Sequence, residues 1–311
     1  MRAQGALEYL IIIAAVLGIS AVVVLFVTGA FTGSSAGADL SKCRLATANC
    51  QKDINLGIGS TCAYCETSCT DSTGNDLISG MPGCLEACLL CKQGLTGQGL
   101  LAKWKLDEGI GDKIYDLSGN GNNATIGPGL VWDTNCKSGS CLTTTGALNS
   151  LKIPSSTSMN SGDYFSFAGW FRPSGTFSQI YTFYSRGFQS ASTGYHFIYI
   201  SNSVSGIVYQ YANGTEWRVL GSPAMTWSAG TWYHIAVTHD KSTKTVKYYR
   251  NGLLMGTTTY TDDALSVTSG DAYIGSYRGA SYWFTGTIDN VRVYGRILSA
   301  DEIFAFNRSG I

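Results

Sequence analysis

The chain begins with a long apolar run. Leu10 to Val27 contains no charged residue. At about 1.5 Å per residue, a helix of this length spans roughly the 30 Å hydrocarbon core of a bilayer. A secretory signal has a shorter apolar stretch and a small-residue cleavage site after it, and no such site is evident here. We therefore expect this hydrophobic helix to be retained.

From Leu100 onward, apolar and polar residues alternate in short stretches separated by turn residues. Along Thr231 to Asp240 the odd-numbered and even-numbered side chains face opposite ways, as in a strand. Asn251-Gly252 is a tight hairpin signal. Many short strands with glycine-rich turns predict an antiparallel sandwich. Only the tail has a helical pattern, because Ser299 to Glu302 forms a capping box.

The composition argues against a nucleic-acid role and for a location outside the cytoplasm. The formal net charge of the 311 residues is zero and Lys and Arg do not cluster, so a nucleic-acid role has no electrostatic footprint. The ten cysteines form an even number in a chain with an export-like segment, which favours disulfides and a location outside the cytoplasm. Three sequons, at Asn123, Asn213 and Asn307, agree with that location.

The extreme N-terminus, MRAQGALEYL, resembles the class III signal peptide of archaeal type IV pilin-like proteins. That resemblance implies that a prepilin peptidase cuts between Ala3 and Gln4, which makes Glu8 the fifth residue of the mature chain. A carboxylate in hydrocarbon costs about 3 kcal/mol unless it is paired. The new amine at Gln4 lies one helical turn before Glu8, so the pair is satisfied when such helices bundle into a filament. The alternative is a plain anchor with Glu8 at the headgroup interface.

Six of the cysteines form a mirror-image pattern, C-x2-C-x3-C followed by C-x3-C-x2-C. Cys62–Cys91, Cys65–Cys88 and Cys69–Cys84 have one constant index sum, which is typical of an antiparallel hairpin. Steps of three and four place each trio on one helical face. We predict a helical hairpin with three disulfide rungs; the rival hypothesis is a zinc or iron–sulfur site.

The other four cysteines are less regular. Cys43 and Cys50 lie about 10 Å apart on a straight helix, whereas a disulfide needs less than about 7 Å. A Cys43–Cys50 bridge therefore requires a bend, or else the pairing is shuffled. Cys136 and Cys141 flank KSGS and are expected to staple a hairpin turn.

The blocks FSFAGWFRP, GTWYHIAVTHD, KYYRNGLLMG and FTGTIDNVRVYGRILSADEI occur in this order after Leu100. They resemble the laminin-G-like jelly-roll domains of the concanavalin A-like lectin/glucanase superfamily. The resemblance implies two packed antiparallel sheets. Members bind sugars or proteins, pack structurally, or hydrolyse glycans, so the fold does not decide the function.

Calcium is an open question in this domain. Some relatives hold calcium near loops such as Asp116 to Asn123, which implies a structural ion touching Asp116 and Asp289. The loop lacks the closing Glu of a calcium loop. Asx-turns explain the same residues without a ligand.

We predict that the protein is not an enzyme. No strand has carboxylates at alternate positions, as hydrolysis of a glycosidic bond would favour. No motif places a nucleophile beside the histidines, and His234 is expected to be structural. Five aromatic residues are candidates for stacking on sugar rings, although most aromatic strand residues are core: Trp217, Trp227, Tyr277, Tyr282 and Trp283.

The predicted fold is mainly β, an antiparallel jelly-roll sandwich preceded by a long hydrophobic helix and a disulfide-rich helical hairpin. The predicted segments are a cleaved leader (1–3), the helix (4–28), a hinge (29–38), the cysteine-rich hairpin (39–93), a linker (94–99) and the jelly roll (100–311).

The expected function is a structural subunit of an archaeal type IV pilus-like surface filament that displays a lectin-like domain for adhesion. Its expected partners are other pilin subunits, the prepilin peptidase, the membrane before assembly and surface glycans. The alternative hypothesis is a membrane-anchored lectin that does not polymerise, and a third hypothesis is a surface glycan hydrolase.

Overall fold

The computed structural model describes residues 99–145, 148, 150–187, 192–202 and 205–309. The predicted leader, helix, hinge and cysteine-rich hairpin, and all of the linker but its last residue, lie outside these residues. So do Ala3, Gln4, Glu8 and the cysteines from Cys43 to Cys91. Within the described ranges, no helix is long and apolar enough to cross a membrane.

The described part of the chain is almost entirely β-structure. Its strands are β1 (Leu100–Trp104), β2 (Lys113–Ile114), β3 (Ala124–Ile126), β4 (Leu130–Asp133), β5 (Cys141–Thr144), β6 (Leu151–Ile153), β7 (Tyr164–Pro173), β8 (Tyr181–Gly187), β9 (Tyr195–Ile200), β10 (Ile207–Ala212), β11 (Trp217–Gly221), β12 (Tyr233–Asp240), β13 (Thr245–Arg250), β14 (Leu253–Thr259), β15 (Ala272–Ile274) and β16 (Gly286–Tyr294). A 3-10 turn spans Thr157–Met159, and helix α1 spans Ala300–Ser309.

These strands form two eight-stranded sheets. The first sheet has the order β14-β13-β12-β7-β16-β5-β4, with β1 also paired to β16. The second sheet has the order β11-β10-β9-β8-β15-β6-β3-β2. The pairings are antiparallel throughout, as the adjoining registers of β7 with β12 and β16 illustrate. The predicted antiparallel jelly-roll sandwich is confirmed.

The core lies between the sheets and is rich in aromatic residues. Side chains at alternate strand positions fill it, since successive residues of a strand point to opposite faces. Phe165, Phe167 and Phe171 come from β7 of the first sheet, and Phe183 comes from β8 of the second. Phe171 and Phe183 meet with ring centroids 4.7 Å apart. Burial of such rings is the main stabilising contribution of the sandwich.

The local turn and cap signals produce the predicted elements. Asn251 and Gly252 join β13 to β14 with φ of 52° and 80°, the left-handed values that a two-residue hairpin turn requires. The backbone N–H of Ser299 donates to Glu302 Oε2 at 2.8 Å, and the N–H of Glu302 donates to Ser299 Oγ at 3.2 Å. This reciprocal capping box opens α1.

Cys136 and Cys141 form a disulfide. The bridge closes the turn between β4 and β5, where Asp133 pairs with Cys141. The predicted disulfide across this hairpin turn is confirmed.

Candidate functional site

One row of side chains crosses all eight strands of the second sheet on its outer face, the face turned away from the core. Consecutive cross-strand partners define the row. From β11 to β2 its members are Val219, Gln210, Phe197, Ser185, Tyr273, Lys152, Thr125 and Lys113. The row is aromatic and apolar at one end and basic at the other.

A small hairpin, Tyr277 to Ser281, lies across the middle of this row. Its turn residues Arg278 and Gly279 both have positive φ, 56° and 70°, and the Ala280 N–H donates to the Tyr277 carbonyl at 3.0 Å. The Arg278 N–H donates to Ser185 Oγ at 3.1 Å, which fixes the hairpin to the sheet. A Cβ on Gly279 would lie 2.8 Å from the Tyr273 ring, so the turn needs glycine to pack this closely.

On the β9–β11 side of this hairpin lies a cluster of aromatic rings, which we call the aromatic half. Phe197 stacks on Tyr199 with centroids 4.3 Å apart, and Tyr277 packs 4.7 Å from Phe197. Tyr282 lies nearly parallel to Phe197 at 6.4 Å. Trp217 belongs to the same face because it pairs with Ala212, two positions beyond Gln210. Tyr282 is 41% exposed and Trp217 is 42% exposed, so solvent reaches both rings, and Tyr282 packs on the buried aromatic layer.

On the other side of the hairpin lies a group of basic side chains, Lys113, Lys152 and Arg278, which we call the cationic half. A cleft of about 540 Å³ there is lined by Lys152, Tyr273 and Arg278, among others. A second cleft of about 350 Å³ is lined by Asp271, and again by Tyr273 and Arg278. Lys152 Nζ lies 3.0 Å from Asp271 Oδ2, and this contact raises the pKa of Lys152 and helps to hold the pKa of Asp271 below its usual range against the effect of burial.

The structure brings some of the predicted sugar-stacking residues together and separates others. Trp217 and Tyr282 are exposed in the aromatic half, whereas Tyr277, the first residue of the hairpin, is buried. Trp227 packs 4.8 Å from Tyr233, at the edge of the core. The indole nitrogen of Trp283 is buried.

The candidate calcium ligands lie in separate hydrogen-bonding environments. Asp116 accepts from the N–H groups of Lys103 and Ser118 through Oδ1, and from the N–H of Asn122 through Oδ2. The bond from Ser118 is that of an Asx-turn, and the three bonds together engage both carboxylate oxygens within the chain. Asp289 Oδ2 accepts instead from the N–H groups that follow Cys136, at 3.1 and 3.0 Å, and burial raises its pKa to about 7.

No group of three or more His, Cys, Asp or Glu side chains is placed to hold a metal among the described residues. The calcium site at Asp116 and Asp289 therefore stays a prediction.

The three sequon asparagines differ in their surroundings. Asn213 Nδ2, the atom that a glycan would modify, donates to Asp262 at 2.6 Å. Asn123 Oδ1 accepts the N–H of Asp116, and Asn307 lies within α1. Glycosylation at each position stays a prediction.

A hydrogen-bonded chain inside the sandwich has no motif in the sequence. Tyr209 Oη lies 2.6 Å from His196 Nδ1 and 2.8 Å from His239 Nδ1. His196 Nε2 contacts Ser161 Oγ at 3.1 Å, and His239 Nε2 contacts Tyr260 Oη at 2.7 Å. Because each neutral imidazole has one donor and one acceptor, the five groups form a single directed chain. Its members come from β9, β10, β12 and two loops that are distant in the sequence, so no local pattern predicts it.

Burial keeps the histidines neutral. It lowers the pKa of His196 well below its usual range and lowers the pKa of His239 to about 3. His234 lies on the other face of the first sheet, beside Trp170 at 5.2 Å. Burial, with the charges of Arg292 and Lys137, lowers its pKa to about 3. These environments are those of packed structural residues.

The family model described as the concanavalin A-like lectin/glucanases superfamily matches residues 145–304. The chain belongs to this superfamily. The resemblance that the sequence blocks carried is thereby confirmed for the β-sandwich. A comparison with curated proteins finds no match.

Several solved structures share the fold of this superfamily member. The binding domain of Paraclostridial Mosquitocidal Protein 1 is 16% identical with a TM-score of 0.53, covering 68% of this chain and 52% of that one. The botulinum neurotoxin serotype G binding domain is 15% identical with a TM-score of 0.53, covering 68% and 51%. Domain 4 of AbnA, an extracellular arabinanase from Geobacillus stearothermophilus solved with arabinotriose, is 17% identical with a TM-score of 0.50, covering 66% and 96%. The chain spans about half the length of the two toxin domains, and at these identities the likeness shows the fold alone.

Proposed function

We propose that the β-sandwich is a glycan-binding, lectin-like head, and that the aromatic half of its outer face is the binding surface. The observation that carries this proposal is the exposure of Trp217 and Tyr282 on one face of the second sheet, with Tyr282 packed on a layer of buried, mutually packed rings. Aromatic rings offer large apolar faces at small cost in side-chain entropy, which suits them to stack on sugar rings. The supporting layer holds the Tyr282 ring in place before a ligand arrives, so little further ordering of that ring is needed.

Membership of the superfamily supports a binding role, because a lectin-like function is common to many of its members. The arabinanase domain that shares this fold was solved in complex with arabinotriose. That complex belongs to another protein, and it supports the proposal only as an instance of the same sandwich holding a saccharide.

We propose that the head binds without catalysis. A glycosidase normally needs two carboxyl groups on either side of the scissile bond. Asp271 is the one carboxylate among the described residues that line the two clefts, and it is engaged by Lys152.

The proposed setting of the head is a pilin-like filament on the cell surface. This part rests on the sequence: the basic leader before Gln4, the apolar run and Glu8 at the fifth mature position. Subunits of such a filament would display many copies of the head. Multiple copies convert weak individual binding into strong attachment.

The test of the head is a binding screen of the full-length chain against neutral pentose and hexose oligosaccharides. We expect Trp217→Ala and Tyr282→Ala each to weaken binding roughly fivefold to tenfold, because each removes a stacking ring. The matched control is Tyr164→Ala, which removes a ring that is 41% exposed on the first sheet. Equal losses in all three variants, or no binding of any glycan, would contradict the proposal.

Electron microscopy of native cells, together with N-terminal mass spectrometry, tests whether the chain forms a pilin-like filament. A filament of chains that begin at Gln4 is expected. Surface protein that begins at Gln4 or Met1 but never forms filaments would favour the membrane-anchored lectin.

A further inference from the structure

The two halves of the outer face differ in chemistry although they belong to one sheet. Lys113, Thr125, Lys152 and Tyr273 follow one another across β2, β3, β6 and β15. The two lysines are separated by two strand spacings, about 10 Å, and both are exposed. Arg278 adds a third cation from the hairpin above them and lines both clefts.

From this arrangement we propose that the cationic half binds the carboxylate or sulfate groups of acidic glycans. The proposal rests on the glycan-binding function proposed above and names the class of glycan. A single glycan chain would stack on the aromatic half and place its anionic groups on Lys152 and Arg278.

The charge in this half is local. The whole chain has a formal net charge of zero, whereas three cations and the carboxylate of Asp271 lie along these clefts and the adjoining row. Asp271 is held by its own partners, accepting the N–H of Ser155 at 2.9 Å as well as pairing with Lys152. An anionic ligand therefore meets a net positive surface. Complementary charge of this kind provides selectivity and faster association.

The clefts also suit a saccharide in shape and in hydrogen bonding. Their volumes of about 540 and 350 Å³ lie in the range of pockets for small ligands. Thr125 and Ser155 contribute hydroxyl groups, and Tyr273 contributes a hydroxyl on a ring that borders both clefts. Such groups match the hydroxyls of sugars.

The backbone of Arg278 supports a role in binding. Its φ of 56° is a conformation that glycine or asparagine adopts at lower cost. The chain nevertheless places a long cation there, on a turn fixed by Ser185. Residues held in such conformations cluster at binding sites. Arg278 is shared by the linings of the two clefts.

Two matched pairs of probes test the inference on the full-length chain. Dextran sulfate is compared with dextran, and polygalacturonate with its methyl ester, so that sulfate and carboxylate are assessed separately. We expect at least one acidic member to bind more tightly than its neutral partner. That preference should weaken as salt rises, since exposed charges are screened over about 10 Å at 0.1 M.

Amino-acid substitutions test whether the cationic half causes the preference for acidic glycans. Lys152→Gln and Arg278→Asn remove charge, and asparagine keeps the left-handed turn. Together they should reduce affinity for the acidic glycan at least about fivefold and leave the neutral one unchanged. Asp271→Asn should act in the opposite direction and tighten acidic binding. Lys247→Gln, which removes an exposed lysine of the first sheet, is the matched control.

The outcomes separate this inference from the proposed function. Neutral glycans that bind as well as acidic ones, or an acidic preference that survives Lys152→Gln with Arg278→Asn, would overturn the inference alone. The absence of binding to every glycan, charged or neutral, would overturn both.

Discussion

The backbone N–H of Arg278 donates a hydrogen bond to Ser185 Oγ over 3.1 Å. The same hydroxyl donates to the carbonyl of Ser276 at 2.9 Å. One buried serine of β8 thus bonds to the residue before the hairpin and to its first turn residue, and so fixes the N-terminal side of the hairpin that separates the aromatic half from the cationic half.

Replacing Ser185 with alanine should therefore loosen the hairpin. The change removes the hydroxyl that serves the buried Ser276 carbonyl and the part-buried Arg278 N–H, which costs about 1–3 kcal/mol. We expect a drop of that size in the free energy of unfolding, and faster amide exchange across residues 277–282. Urea denaturation and hydrogen–deuterium exchange measure the two effects. Ser174→Ala, at an exposed serine, is the control; unchanged exchange in the hairpin of Ser185→Ala would show that this contact does not hold it.

The stability of the sandwich should fall as the pH falls from about 6.5 to 5. His196, His234 and His239 have pKa values lowered by burial. In this window the unfolded chain therefore binds protons that the folded chain does not. Asp289 acts against them, because its pKa is raised to about 7 and its protonation below that value favours the folded state. Lys103, lowered to about 6 by burial, affects stability mainly above this window.

Acidification destabilises the fold through three histidines and stabilises it through one aspartate, so the unfolded chain binds up to two more protons than the folded chain. The free energy of unfolding therefore changes by at most about 2.7 kcal/mol per pH unit. Urea denaturation at pH 7, 6 and 5 measures this slope. Asp289→Asn removes the opposing contribution and should make the slope steeper. A free energy of unfolding that stays level or rises on acidification would refute the assignment of neutral, buried histidines.

The sequence was most informative where the signal was local. The Asn251-Gly252 turn, the Ser299–Glu302 cap and the Cys136–Cys141 staple each depend on residues close together in the chain, and each forms as predicted. The alternation of apolar residues indicated the sandwich for the same reason. Strand order could not be obtained this way, because β7 pairs with β12 and β16, far along the chain.

The candidate site was only partly predictable. Trp217 and Tyr282 were recognised as aromatic residues that could stack on sugars, but nothing in the sequence distinguished them from Trp227, which packs at the core. The difference arises from the register of β10 with β11 and from the fold of the Tyr277–Ser281 hairpin. The cationic half was missed because Lys113, Lys152 and Arg278 are far apart in sequence and meet only through strand pairing.

The cysteine-rich segment leads to a prediction of its own. Its mirror spacing indicates the bridges Cys62–Cys91, Cys65–Cys88 and Cys69–Cys84, each worth on the order of 3 kcal/mol through the unfolded state. Non-reducing peptide mapping of the native protein should recover these three pairs. Bound zinc, an iron–sulfur cluster or free thiols at these positions would overturn the disulfide hairpin.

Glu8→Gln should abolish or strongly reduce filaments. If the acid pairs with the amine of processed Gln4 inside a helical bundle, its loss leaves that amine buried without a counter-charge, a cost of about 3–5 kcal/mol. Export and glycan binding should be unaffected. Electron microscopy of cells that carry only this change measures filament number and length; a normal count would favour the plain anchor.

We propose that glycans bind the outer face of the second sheet. Hydrogen–deuterium exchange of the full-length chain, with and without the tightest-binding glycan of the screens, locates the contact directly. We expect slower exchange in residues 195–199, 217–219 and 277–282 when the glycan is bound. Protection confined to the first sheet, or to the Asp116–Asn123 loop, would contradict it.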